Sequence, residues 1–132
     1  MSQQVEGPTK SGTADGAVRI YDRVKVSGAD ADTGELTFAV AGLAERGVGV
    51  AQNVAADGAA LTVRLWSAQG THKVRASEAL AVGADVYTES DGEVQDTAQA
   101  TAYKIGTALE AATGDGHIIE VMVNPLGEVA AS

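Results

Sequence analysis

The chain has no cysteine, two prolines, one tryptophan, one phenylalanine and three tyrosines. Disulfides and thiolate chemistry are therefore excluded, and the sequence carries no mark of a redox compartment. Bases are scarce, nine against eighteen acids, for a net charge of −9. Proteins grip a phosphate backbone by neutralising phosphates and releasing counterions, so this sign argues against direct nucleic-acid binding and against an anionic membrane. The deficit is uneven: residues 1–66 hold eight acids and six bases, residues 67–132 ten acids and three bases. No apolar run approaches the roughly 20 residues of a membrane-spanning helix. The opening Met1-Ser2-Gln3-Gln4-Val5-Glu6 lacks the basic and apolar regions of a secretory signal. With so few aromatics, the apolar residues are mostly Ala and Val, and so thin a core predicts further burial between subunits.

What is present is one hairpin pattern written twice. Gly49-Val50-Ala51 leads to Asp57-Gly58 and then Leu61-Thr62-Val63-Arg64-Leu65. Gly106-Thr107-Ala108 leads to Asp115-Gly116 and then Ile119-Glu120-Val121-Met122-Val123. Asp-Gly suits a tight turn because both residues tolerate positive φ, and the alternation after it is that of a half-buried strand. Further strand signals are Val18, Ile20, Val24 and Val26, Leu36 to Val40, the short edge candidate His72 to Arg75, and Val86 to Thr88. Leu43 to Arg46 and Asp96 to Thr101 have room for one helical turn each, and the Ala-rich tracts are broken too often for a long helix. Pro125 is expected to end the last strand. The reading is all-β, a small barrel or sandwich over residues 17–125, with a polar flexible arm over 1–16 and a tail over 126–132.

Catalytic patterns are poorly represented. Gly47-Val48-Gly49 is not followed by a βαβ unit, which argues against a phosphate loop. Asp30-Ala31-Asp32-Thr33-Gly34-Glu35 starts like a calcium loop, but Ala41 stands where the bidentate acid belongs, so an acidic turn is expected. His72 and His117 are far apart with no third ligand at a recognisable spacing, and read as surface strand residues. The acid pairs Glu89/Asp91 and Glu93/Asp96 flank a predicted exposed turn and read as a solvated rim. No enzyme, metal or cofactor is expected. Trp66 admits two readings, the largest side chain of a small core or an interface anchor, and Tyr87 and Tyr103 are ambiguous in the same way.

Val82-Gly83-Ala84-Asp85-Val86-Tyr87, then Asp91-Gly92, then Gly106-Thr107-Ala108-Leu109-Glu110-Ala111-Ala112, and the closing Val121-Met122-Val123-Asn124-Pro125 resemble a known family. They are similar to the capsid cement or head decoration proteins of tailed bacteriophages, over residues 17–125, with Ala84 a small departure between Gly83 and Asp85. The resemblance implies a small β-barrel-like structural protein on the outer capsid surface of the virion, made in the bacterial cytoplasm. Its implied partner is the major capsid protein, whose subunits it would bridge as a homotrimer. Val5, Pro8, Thr9, Trp66 and Tyr87 are the expected contacts with capsid or sister subunits. The alternative is a surface-displayed host- or glycan-binding β module, for which five aromatics are poor equipment.

Overall fold

The computed structural model describes residues 9–129, with side chains only as far as 123. Ten strands build it: β1 (Thr9–Ala14), β2 (Arg23–Ala29), β3 (Leu36–Val40), β4 (Gly49–Ala51), β5 (Ala60–Leu65), β6 (His72–Arg75), β7 (Asp85–Thr88), β8 (Val94–Gln95), β9 (Tyr103–Ala108) and β10 (Ile118–Val129). A single 3₁₀ turn, Ser90–Gly92, separates β7 from β8. The all-β expectation is met.

β1 to β5 close a barrel in the order β1-β3-β2-β4-β5, with β5 returning antiparallel to β1. β6 to β10 form a sheet in the order β6-β10-β9-β7-β8, whose two edges meet at one parallel bridge, Ala76 to Val94. Relabelled from β6, this is the same circular order as the first barrel, and the parallel bridge stands where β1 runs parallel to β3. The backbone bonds repeat as well. Val18 exchanges bonds with Ala55, and Leu80 with Ala112; Gly58 N–H donates to Ala14 and Gly116 N–H to Ala76. The doubled hairpin thus belongs to a doubled domain, two halves of one topology.

Each half has its own core. Ala14, Val18, Val24, Phe38, Leu61 and Val63 fill the first. Val74, Val86, Val94, Ile105, Ile119 and Val121 fill the second, which also takes Val50 and Trp66 from the first half. In β5 and β10 the alternation works as read, with Leu61, Val63, Ile119 and Val121 inward. Gly49 and Gly106 occupy matching places where the paired backbone comes too close for a side chain. A Cβ would lie 2.1 Å from the Arg64 carbonyl oxygen at the first and 1.9 Å from that of Met122 at the second.

Three boundaries differ from the sequence reading. The flexible arm expected over 1–16 does not hold for residues 9–14, which are β1, paired to β5 and β3. Its lack of apolar period has a physical cause: a Cβ on Gly12 would sit 2.5 Å from the Leu36 oxygen and 2.7 Å from the Phe38 ring, so close packing requires a small residue. Residues 1–8, with Val5 and Pro8, lie outside the described residues, as do 130–132. Pro125 does not end β10. Its register against β9 slips between Val123 and Glu128, and this irregularity absorbs the missing N–H. Val26 is exposed rather than inward, at a register shift between Val26 and Gly28.

The halves are joined by buried arginine. Arg23 at the start of β2 is completely buried, and its guanidinium donates to the carbonyls of Ala41, Gly42, Glu45 and Arg46 in the first half and Glu89 and Glu93 in the second. Burial lowers its pKa to about 10, against the pull of Glu45, Asp22 and Glu89, so it remains charged. Arg75 answers from the second half, donating to Ile20 (2.8 Å) and standing 3.5 Å from the Asp22 carboxylate. Thr88 Oγ1 donates to Leu43, and Gly92 N–H to Ala41.

Gly106→Ala is expected to cost about 2–3 kcal/mol in denaturant unfolding, because the obstructing atom is backbone. Gly114→Ala, with nothing within 4 Å, should stay within about 0.5 kcal/mol of the parent. Arg23→Ala orphans buried carbonyls in both halves and is expected to cost about 3–5 kcal/mol. Arg23→Lys should recover only part of it, since an ammonium cannot span the same acceptors.

Candidate functional site

Two hollows stand out among the described residues. The first, about 310 Å³, lies at the end of β5 and is lined by Val48, Leu65, Trp66 and Ser67. Trp66 is 7% exposed, its indole N–H donates to Gly47 at 3.2 Å, the Arg46 guanidinium lies 5.6 Å from its ring centre, and His72 packs 5.3 Å away. The body of Trp66 is core, packed with the second half, and it also lines the hollow. Thr9 pairs with Arg64, two residues before Trp66, so the chain enters β1 at this same end of the barrel. Thr9 and Trp66 are thus brought together. Tyr87 is not with them; it is half-buried on β7, between Gln95 and Lys104.

The second hollow, about 460 Å³, runs along the junction of the halves and is lined by Ala17, Arg19, Asp22, Val40, Asp91, Glu93 and Asp115. Asp22 is 2% exposed and is held by Arg19, which donates from its backbone N–H and from Nε. Arg19 also donates from Nη2 to the Asp91 carbonyl at 3.0 Å, tying the first half to the 3₁₀ turn of the second. Glu93 was expected on a solvated rim with Asp96. It is instead 9% exposed and faces Asp115 from the β9–β10 connection. Burial, with the shared hydrogen bond and repulsion of Asp115, raises its pKa to about 7. The sequence shows Asp115 only as half of an Asp-Gly turn; the doubled topology carries that turn back to the junction.

His72 is a second correction. It is buried, not on the surface: Nε2 donates to the Leu65 carbonyl at 2.8 Å, Nδ1 has no partner, and burial lowers its pKa. Its exposed neighbour Lys73 sits 6.0 Å from the ring centre of Tyr21, which packs on the second core. His117 is half-buried and accepts from Thr113 N–H at 3.1 Å. The Asp30 loop is the expected acidic turn. Asp30 Oδ1 accepts from the N–H groups of Asp32 and Thr33, which lower its pKa. Among the described residues no three His, Asp or Glu side chains are grouped to hold a metal.

A closed five-stranded barrel followed by a second sheet of the same strand order defines the class, a doubled small β-barrel protein. The phage cement protein family model matches residues 7–123, and the chain belongs to that family. It is a phage capsid-associated structural protein. A solved structure described as the head fiber gp8.5 N base in bacteriophage phi29 shares the fold, with a TM-score of 0.74 at 20% identity over 88% of this chain and 92% of that one. No curated protein matches.

Glu93 is protonated more readily in the folded state than in the unfolded chain, so its contribution to stability is present in acid and lost as pH rises through about 7. His72 has the opposite sign: its neutral form is favoured by burial, and stability falls as pH drops below the ordinary histidine range. Melting temperature measured from pH 5 to 9 is expected to carry a fall as pH rises to about 7, levelling off beyond it. Glu93→Gln should flatten that fall and leave the acid limb in place.

Proposed function

We propose that the protein binds the outer surface of the assembled capsid and bridges neighbouring subunits of the major capsid protein, standing there as a homotrimer. The observation that supports this best is the family match along nearly the whole barrel region. Packaged DNA presses outward on a shell, and a clamp across subunit boundaries raises the free energy needed to part them. Such a clamp must occupy many identical sites without clumping beforehand, which suits a cysteine-free chain of net charge −9.

The contact surface in this reading is the barrel end at Thr9 and Trp66 together with residues 1–8. β1 runs antiparallel to β5 from Thr9 opposite Arg64, so β1 begins at the end of the barrel that holds Leu65 and Trp66. Val5 and Pro8 are its contact residues in this proposal, and the apolar hollow beside Trp66 accepts a side chain from the capsid. Tyr87, on the other half, is a separate contact.

The test is co-sedimentation with assembled, undecorated shells of the major capsid protein from the same source. Deleting residues 2–8 leaves β1 whole and is expected to weaken shell binding about tenfold or more, with the melting temperature unchanged. A deletion through residue 14 would remove β1 and the barrel with it. Unchanged occupancy after the shorter deletion would exclude the segment as a contact. Failure of the intact protein to pellet would exclude the capsid reading.

A further inference from the structure

We infer that the junction cleft is a receptor for a cationic side chain, an arginine or lysine, presented by the protein partner. The inference rests on the capsid-binding reading and adds where, and by what chemistry, the partner is gripped.

Four carboxyl groups line the cleft, those of Asp22, Asp91, Glu93 and Asp115, against one guanidinium, that of Arg19. That guanidinium is engaged with Asp22 and with the Asp91 carbonyl. The other nearby cations are committed: Arg23 spends its donors on backbone carbonyls, including that of Glu93, and Arg75 is bonded to Ile20 and Gly116 and stands 3.5 Å from Asp22. The decisive residue is Glu93. It is nine-tenths buried and lines the cleft, yet among the described residues its carboxyl accepts from no N–H donor; it shares a hydrogen bond with the carboxyl of Asp115 and feels the Arg19 charge through space. A folded protein seldom buries an acid against another acid without a use for the imbalance. Asp22 beside it is held by Arg19 and Arg75, so the excess of negative charge lies with Glu93 and Asp115.

The shape of the unmet demand selects the ligand. No three acids are grouped to hold a metal among the described residues, so a compact metal ion is badly served. A guanidinium or ammonium on a long stem can enter an open cleft of about 460 Å³ and donate to two carboxylates in succession. The walls belong to different halves, Asp22 to the first and Glu93 and Asp115 to the second, so an inserted cation would also tighten the junction. Proton uptake by Glu93, which shares the cleft with Asp115, Asp22, Asp91 and Arg19, competes with the cation, so binding should weaken as pH falls from 8 to 6.

The experiment repeats shell co-sedimentation at pH 8 with Glu93→Gln/Asp115→Asn, and with Asp30→Asn/Asp32→Asn in the β2–β3 turn as a charge-matched control. The junction variant is expected to bind about tenfold more weakly, to lose the pH slope and to melt no lower than the parent, while the control binds as the parent does. Parent-like binding by the junction variant would overturn the inference. A second arm titrates the protein with Nα-acetyl-arginine amide and follows backbone amide NMR signals. Saturable shifts at Asp91, Glu93 and Asp115, absent in the junction variant, support the receptor even if the intact protein fails to pellet, in which case only the capsid reading falls. No shift at these positions would overturn the receptor.

Discussion

The guanidinium of Arg23 is the constraint on which the arrangement turns. A charge with no exposure survives only if its donors are met, and here they are met by six carbonyls drawn from both halves. Carbonyls of the Leu43 turn and of the 3₁₀ turn are thereby drawn to one point, and neither segment could shift without orphaning hydrogen bonds. Gly92 shows how tight the result is: at φ +72, a Cβ would lie 3.0 Å from both Asp22 and Val40. The acidic cleft is a consequence. Fastening the halves through Arg23, Arg19 and Arg75 consumes the local cations and leaves Glu93 and Asp115 facing each other.

The doubled topology explains where the halves resemble each other and where they do not. Positions that define the barrel are shared, such as Gly49 with Gly106 and the Asp-Gly turns. Positions at the junction have diverged. Tyr21 and Gly83 bond to Ala51 and Ala108 in the same way and both have positive φ, 67° and 86°. Glycine adopts that conformation freely, whereas a tyrosine there costs about 1–2 kcal/mol. Its ring packs on the second core, which supplies a compensating contact. Likewise the first half closes fully, while the second is held at its seam by one bridge beside Ser77, which donates to Val94. The result is a closed barrel with a half-closed copy attached and one groove at their junction.

Much of this was legible in the residues. Apolar-x-Val-x-apolar after Asp-Gly announced β5 and β10, because alternation reports a one-sided burial directly. The cement-family resemblance was legible too, carried by the order of short pieces along residues 17–125, and the family model covers 7–123. β1 was not legible, since a strand pressed against its neighbour needs Gly12 and small polar residues, the composition of a loop. Glu93 and His72 were misread for one reason. Their environment is made by other elements, the β9–β10 turn for one and the end of β5 for the other.

The sequence by itself determined the strands that alternate, the class of fold, the thin Ala/Val core, the negative net charge and the family. These are local or additive properties, fixed by residue type and spacing. Only the tertiary structure decided that the two hairpins belong to two copies of one barrel, that Arg23 joins them, and that Trp66 shares an end with Thr9. It alone also decided that two acids from remote turns meet across a cleft, because pairing between distant strands depends on how the whole chain closes.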